Sequence, residues 1–126
     1  MKQFNYQKGK LGETIALNFL KKRAYQLIKS NFQTRFGEID LICAKDKRLI
    51  FVEVKLRIGD ELGIPEEMIN PAKVFQIQKT AQHFLQNNPQ LASQYSSYQI
   101  DAVCIVLNQD KSIARINHYQ NIGSEL

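Results

Sequence analysis

Apolar residues recur along this chain with two spacings, one typical of helices and one typical of strands. Helical spacing over residues 8–24 predicts a first helix, whose apolar arc consists of Leu11, Ile15, Ala16, Phe19 and Leu20. Asn70-Pro71 predicts the start of a second helix that ends near Asn87, because proline is well tolerated at the first helical position. Short apolar segments predict five strands, at residues 25–32, 37–44, 48–57, 98–107 and 112–118.

The order of these elements, αβββαββ, predicts an α/β fold. Three consecutive strands can form a meander, and a crossover through the second helix then brings the 98–107 strand into the sheet in parallel. We expect a single domain over residues 1–126, with a mixed β-sheet flanked by helices. Residues 58–70 contain Gly59, Gly63 and Pro65 and predict a loop.

Charged residues interrupt the two strands of the predicted hairpin. The strand sequences are Gly37-Glu38-Ile39-Asp40-Leu41-Ile42 and Phe51-Val52-Glu53-Val54-Lys55. With Asp46 and Lys47 in the turn, antiparallel pairing places Asp40 opposite Glu53 and Glu38 opposite Lys55. Because burying an isolated charge is costly, four ionisable groups on one patch of an apolar sheet predict a functional site.

Two neighbouring carboxylates favour a cation between them. Asp40 and Glu53, with the backbone carbonyl of Val54, offer the hard oxygen ligands that suit Mg²⁺ or Mn²⁺. Such an ion lowers the pKa of a bound water, and Lys55 could orient that water or stabilise developing negative charge. The pattern therefore predicts phosphodiester hydrolysis. The structural alternative is that Glu38 and Lys55 form a cross-strand ion pair while Asp40 holds a turn or a backbone amide.

Glu13 lies at the margin of the apolar arc of the first helix. From there it could supply a third carboxylate, directly to the metal or through a water. The alternative is an edge residue whose head group stays in solvent.

The net charge of +5 is unevenly distributed. Residues 1–57 contain 13 basic and 5 acidic residues, whereas residues 58–126 contain 4 and 7. A basic half favours phosphate-rich partners, although a solvated basic surface is the alternative. Arg57, just after the motif, is the best single candidate for a substrate phosphate. Further candidates for a nucleic-acid backbone are Lys8, Lys10, Lys21, Lys22, Arg23, Lys29 and Arg35. Four acidic residues of the 58–70 segment, Asp60, Glu61, Glu66 and Glu67, would repel DNA if they lay in the same groove.

Other features exclude several classes of protein. The N-terminal residues have no apolar signal region, and the longest apolar run, Ala102 to Leu107, is too short to cross a bilayer. Cys43 and Cys104 lie in apolar strands and predict buried free thiols, so we expect a cytoplasmic protein. His83 and His118 have no partner at ligand spacing and are interpreted as non-catalytic. Asp101 interrupts an apolar strand and is expected to support the site or to bond a backbone amide near Arg57.

Three segments, in this order and spacing, resemble the YraN family. They are Gly12-Glu13-x-x-Ala16, Gly37-Glu38-Ile39-Asp40-Leu41-Ile42 and Phe51-Val52-Glu53-Val54-Lys55-x-Arg57. The resemblance extends over about residues 8–120. That family is a small bacterial group assigned to the restriction-endonuclease-like superfamily with an Asp…Glu-x-Lys site, akin to archaeal Holliday-junction resolvases.

The resemblance implies a restriction-endonuclease-like core with Asp40, Glu53 and Lys55 as the catalytic triad and Glu13 as an auxiliary acid. This sequence departs from the family's usual pattern at two places. Leu56 stands where Thr is usual, and Gln99-Ile100-Asp101 stands where Arg-Phe-Asp is usual. The expected function is metal-dependent hydrolysis of DNA, with branched or repair intermediates as candidate substrates and, by analogy, a homodimer. The alternative is a non-catalytic nucleic-acid-binding or adaptor module on the same fold.

Overall fold

The computed structural model describes residues 2–59 and 63–123. Its elements are α1 (Lys2–Lys21), β1 (Gln26–Thr34), β2 (Gly37–Lys45), β3 (Arg48–Ile58), a 3₁₀-helix (Pro65–Met68), α2 (Pro71–Asn87), α3 (Pro89–Ala92), β4 (Ser97–Leu107) and β5 (Ile113–Tyr119). The predicted order of long helices and strands is confirmed. The 3₁₀-helix and α3 were not predicted, since each forms one short turn after a proline. None of the described helices is long and apolar enough to cross a membrane.

The five strands form one mixed sheet in the order β1-β2-β3-β4-β5. Neighbouring strands are antiparallel, except that β3 and β4 are parallel. Since α2 connects β3 to β4, it provides the crossover that a parallel pair requires. The mixed α/β architecture expected from the sequence is therefore confirmed.

A helix packs on each face of the sheet. Ala16 and Leu20 of α1 belong to one buried cluster, together with Leu41, Val52 and Val103 of the central strands. A second cluster lies on the other face, under α2, and comprises Ile39, Ile42, Leu49, Phe51, Ile77, Ala81, Phe84 and Ile100. The alternation of side chains along β3 and β4 divides their residues between these two clusters.

The first helix ends earlier than its apolar pattern predicts, at Lys21 rather than residue 24. Ala24 adopts a left-handed conformation with φ of 68°. The Tyr25 N–H then bonds back to the Leu20 carbonyl at 3.0 Å. This is a helix C-cap, and the backbone turn redirects the chain into β1.

The β2–β3 hairpin has the predicted turn and the predicted register near it. Asp46 and Lys47 both have positive φ, 51° and 63°, as a two-residue hairpin turn requires. Backbone pairing runs from Lys45–Arg48 to Leu41–Val52 and ends there. The expectation that Asp40 and Glu38 continue this ladder opposite Glu53 and Lys55 was wrong, because the two strands separate at this point.

Candidate metal and nucleic-acid site

A gap opens between β2 and β3 beyond the last backbone pair. There β2 remains paired with β1, for example Glu38 with Gln33, and β3 remains paired with β4 along its whole length. The Asp40 carboxylate crosses the gap and accepts a hydrogen bond from the Val54 N–H at 2.8 Å. Since the N–H and C=O of one strand residue point to the same side, the Val54 carbonyl also points into the gap.

Carboxylates from two elements meet at this gap. Oxygen atoms of Glu13, Glu38 and Asp40 all lie within 4.8 Å of one another, and each of the three residues is half-buried. Glu13 comes from α1, whereas the other two come from β2. This trio could hold a metal ion, because hard carboxylate oxygens at such distances suit a divalent cation. Glu38, which the sequence analysis paired with Lys55, is thus grouped with acids instead.

Gly12 explains how a helical residue reaches the sheet. A Cβ atom at this position would lie 3.4 Å from Leu56 Cβ and 3.5 Å from Val54 Cγ1. The backbone of α1 therefore runs directly over β3 at this point. The close approach brings the next residue, Glu13, to the edge of the gap.

Glu53 is nearly enclosed, at 2% exposure. Its Oε2 lies 3.2 Å from Lys73 Nζ and 3.5 Å from Lys55 Nζ. Neither contact has hydrogen-bond geometry, so this buried oxygen has no hydrogen-bond donor among the described residues. Glu53 is not one of the three acids whose oxygens lie within 4.8 Å of one another, but it lines the same cleft, with its charge balanced by the two lysines.

Lys73 was not predicted from the sequence, and neither were Asn31 and Gln33, which also line the cleft. Lys73 lies in the first turn of α2, and its Nζ also donates to Gln76 Oε1 at 3.3 Å. A signal was present in the sequence, because position 73 is one helical turn before Ile77 and falls on the buried stripe of α2. A lysine at such a position needs an acidic partner.

The electrostatics of the gap favour a bound proton or a cation. Burial, followed by the neighbouring charge of Glu53, raises the pKa of Asp40 to about 8, although the Val54 N–H acts in the opposite direction. Burial also raises the pKa of Glu13, while Lys10 opposes that change. Positive charge from a metal would oppose both shifts, because a nearby cation favours the ionised carboxylates.

These groups line a cleft of about 520 Å³, together with Lys10, Asn31 and Gln33. Lys10 Nζ is 4.0 Å from Glu13 Oε1. Arg57 lines an adjoining cleft of about 430 Å³ that shares Val54 and Lys55 with the first. Arg35, by contrast, lies at the β1–β2 turn and does not line either cleft.

The described acidic residues of the 58–70 segment, Glu66 and Glu67, line neither cleft. Glu66 receives two hydrogen bonds from Arg115 of β5, at 2.7 and 3.0 Å, and one from the Tyr119 hydroxyl. The Arg115 hydrogen bonds are the main reason that the pKa of Glu66 falls to about 2. Glu67 accepts from the Ile64 N–H within the same segment. Asp60 and Glu61 lie outside the described residues.

Asp101 has a structural role away from the cleft and does not contact Arg57 in the described hydrogen bonds. Its carboxylate is fully buried and bonds Tyr25, His118, Gln99 and the Asn121 N–H at 2.7 to 3.0 Å. His118, for which the sequence suggested no partner, is therefore part of a buried network, with its side chain 1% exposed. Gln99, at the position of the family's usual Arg, accepts from Arg48.

Comparison with known proteins gives the family but no activity. A family model described as "Uncharacterised protein family UPF0102" matches residues 12–105. A UPF0102 protein of Syntrophomonas wolfei is 38% identical over 117 residues, which cover 93% of this chain and 97% of that protein. A UPF0102 protein of Natranaerobius thermophilus is 40% identical over 119 residues, again with 93% and 97% covered. A third, from Caldicellulosiruptor bescii, is 37% identical over 111 residues, which cover 88% and 92%.

Proposed function

Since the chain belongs to the uncharacterised protein family UPF0102, the YraN family that its motifs resemble, we infer its function from its own site. We propose that it is a Mg²⁺- or Mn²⁺-dependent nuclease that hydrolyses DNA phosphodiester bonds, with branched or repair intermediates as candidate substrates. The observation that carries the proposal is the convergence of Asp40, Glu53 and Lys55 at the gap between β2 and β3, with Glu13 beside them.

The donor set fits a hard divalent ion. Asp40 and Glu13 would hold it, and Glu38 is a further candidate because its oxygens lie close to theirs. Glu53 and the Val54 carbonyl, which line the same cleft, would complete the set. The buried Glu53 Oε2, which has no hydrogen-bond donor among the described residues, supports this assignment. A bound ion supplies a water of lowered pKa and neutralises charge on a phosphoryl oxygen.

Lys55 is proposed to act on the nucleophile. In the hydrolysis, water loses a proton to solvent as its oxygen forms a bond to phosphorus. The bond from phosphorus to the leaving oxygen breaks, and the leaving oxygen takes up a proton from solvent. The Lys55 ammonium, 3.5 Å from Glu53, would hold the attacking water or stabilise the negative charge on the phosphoryl group.

Several features support DNA as the substrate. Lys10 lies at the rim of the cleft and Arg57 in the adjoining one, where each could contact a backbone phosphate. Glu66 is held by Arg115 and turned toward β5, which removes one acidic residue from the approach to the cleft.

The helix, the three-strand meander and the parallel β4 after α2 are also the arrangement that a restriction-endonuclease-like core implies, and we propose that fold for the chain.

We also propose a location and an oligomeric state for the enzyme. Cys43 and Cys104 are free and buried, which suits a reducing cytoplasm. By analogy alone with nucleases of this fold, we propose that the chain forms a homodimer. Light scattering on the purified protein measures the oligomeric state.

One observation favours a second function, a non-catalytic nucleic-acid-binding module. Lys73 already balances the charge of Glu53, at 3.2 Å, as a bound cation would. A protein that only binds nucleic acid could keep this arrangement permanently and need no metal.

Incubation with labelled single-stranded, duplex and four-way-junction DNA, with and without Mg²⁺ or Mn²⁺, separates the two functions. We expect metal-dependent cleavage by the wild type, and its loss in Lys55→Ala. Lys47→Ala is the matched control, because Lys47 is exposed in the β2–β3 turn at the opposite end of the hairpin. DNA binding without cleavage under either metal would favour the module instead.

A further inference from the structure

A second cationic surface lies where the β1–β2 turn meets α2. It forms a pocket of about 290 Å³ lined by Arg35, Phe36, Lys79, Gln82, His83 and Gln86. Among the described residues, no carboxylate belongs to this lining. The pocket therefore presents hydrogen-bond donors and positive charge without an internal counter-ion.

Aromatic rings lie next to the two cations. The Arg35 guanidinium carbon is 5.1 Å from the centre of the Phe36 ring, and Lys79 Nζ is 5.9 Å from the same centre. Lys79 Nζ is also 5.1 Å from the ring centre of Phe75. Such contacts attract an exposed cation weakly and do not neutralise its charge. Within residues 2–59 and 63–123, neither Arg35 nor Lys79 forms an ion pair with a carboxylate, so both charges remain available to an anion.

A short chain of contacts connects this pocket to the cleft. Lys73, which lines the cleft, donates to Gln76 Oε1 at 3.3 Å. Gln76 Nε2 in turn donates to the Phe36 carbonyl at 2.8 Å. Gly37 permits this packing, because any Cβ at that position would lie 2.8 Å from the Gln76 side chain.

Lys73 and Lys79 are six residues apart, which corresponds to about 9 Å along the helix axis and a rotation of about 240° around it. The two lysines therefore lie on different sides of α2, and the path from the cleft to the pocket passes Gln76. A nucleic-acid strand carries negative charge at intervals of a few ångströms, so a strand on this path can reach Lys79 within a few nucleotides of the cleft.

We propose that the pocket formed by Arg35, Phe36, Lys79 and His83 binds a backbone phosphate of the DNA strand that leaves the cleft. The DNA footprint then extends from the cleft past Gln76 to the β1–β2 turn. Contact with phosphate rather than with base edges makes this recognition independent of sequence. The inference rests on the proposed function for the location of DNA in the cleft.

Salt-dependent binding tests the pocket without any cleavage. The affinity for duplex and four-way-junction DNA is measured in Ca²⁺ between about 50 mM and 200 mM salt. For the double variant Arg35→Met/Lys79→Met, we expect weaker binding. We also expect the slope of log affinity against log salt concentration to be smaller by about 0.9 for each phosphate that the variant no longer neutralises. Lys47→Met removes an exposed lysine from the far end of β2 and should leave the slope unchanged. Circular dichroism checks that each variant is folded.

The outcomes distinguish this inference from the proposed activity. A double variant that is folded and retains the wild-type slope shows that the pocket does not bind a backbone phosphate, even if the wild type cleaves DNA. A reduced slope supports the pocket, even if no divalent metal produces cleavage. Absence of DNA binding by the wild type overturns both, and a marked preference for RNA of the same length overturns DNA as the partner.

Discussion

The side chain of Asp40 takes the place of a backbone acceptor for the N–H of Val54, at 2.8 Å. This single contact bridges β2 and β3 just beyond the point where their ladder ends. It explains why the strands separate there without leaving the Val54 N–H unsatisfied, which would be costly in this partly buried position. The gap that results is the space in which the carboxylates and lysines of the cleft meet.

Asp40→Asn should reduce the pH dependence of stability in the metal-free protein. The pKa of Asp40 rises from its ordinary value of 3.8 to about 8 on folding, mainly because of burial. Between these values the folded protein binds a proton that the unfolded chain releases, so the free energy of unfolding decreases as the pH rises from about 4 to about 8. Asparagine resembles the protonated carboxyl and can still accept from Val54.

Denaturant unfolding in the presence of a chelator, at several pH values between about 5 and 9, measures this effect. Asp110→Asn is the control, because Asp110 is exposed in the β4–β5 connection. An identical dependence of the free energy of unfolding on pH in the wild type and in Asp40→Asn would contradict the prediction.

Lys73→Met should strengthen metal binding. The Lys73 ammonium, 3.2 Å from Glu53 Oε2, competes with a divalent ion for the same carboxylate. Removing this charge should tighten Mn²⁺ binding by roughly tenfold, since like charges at short range repel by more than about 1 kcal/mol. Calorimetric titration with Mn²⁺ measures the affinity.

Lys79→Met provides the matched control on the same helix and should leave the Mn²⁺ affinity unchanged. Weaker Mn²⁺ binding by Lys73→Met would show instead that Lys73 merely holds Glu53 in position. A wild type that binds no Mn²⁺ would argue against the metal site itself.

Asp101→Ala should destabilise the protein by about 3 kcal/mol, because it removes a buried charge and leaves several donors unpaired. Burial opposes ionisation of Asp101, yet hydrogen bonds from His118, Asn121 and Tyr25 outweigh it and lower the pKa below its ordinary value. The stability that this carboxylate provides is thus present above about pH 4 and decreases as the pH falls through the lowered pKa.

Thermal unfolding of Asp101→Ala at neutral and acidic pH measures both effects. DNA cleavage per folded molecule should change little, since Asp101 lies outside the cleft. A stability within about 0.5 kcal/mol of the wild type would indicate that the network is dispensable.

Gly12→Leu should move α1 away from β3 and weaken metal binding through Glu13. A Cβ at Gly12 just contacts Leu56 and Val54, so the branched end of a leucine has no space. Overpacking of this kind costs about 1–3 kcal/mol. Asn18→Leu is the control on the same helix, because Asn18 is exposed and lines neither cleft. Equal stability and equal Mn²⁺ affinity in the two variants would refute the close helix–strand contact.

The fold was largely predictable because its signals are local. Apolar spacing located both long helices and all five described strands, and the Asp46-Lys47 turn fixed the hairpin register as far as Leu41 and Val52. The end of α1 was less predictable, since nothing in its apolar pattern indicates that Ala24 adopts a left-handed conformation.

The candidate site was predictable only in part. Residue spacing identified Asp40, Glu53 and Lys55, but the antiparallel pattern could not show that a side chain replaces a backbone acceptor at Val54. The contact between Lys73 and Glu53 depends on how α2 crosses the sheet, which sequence spacing does not determine. For the same reason, the partners of Asp101 and His118 come from strands and turns that are far apart in sequence.

The groups that meet at the gap come from α1, β2, β3 and α2, and thus from positions 13 to 73 of the chain. A polypeptide still emerging from the ribosome has no assembled centre until α2 has been synthesised and has docked on the sheet. Any activity of this centre therefore requires that all four elements be present and packed together.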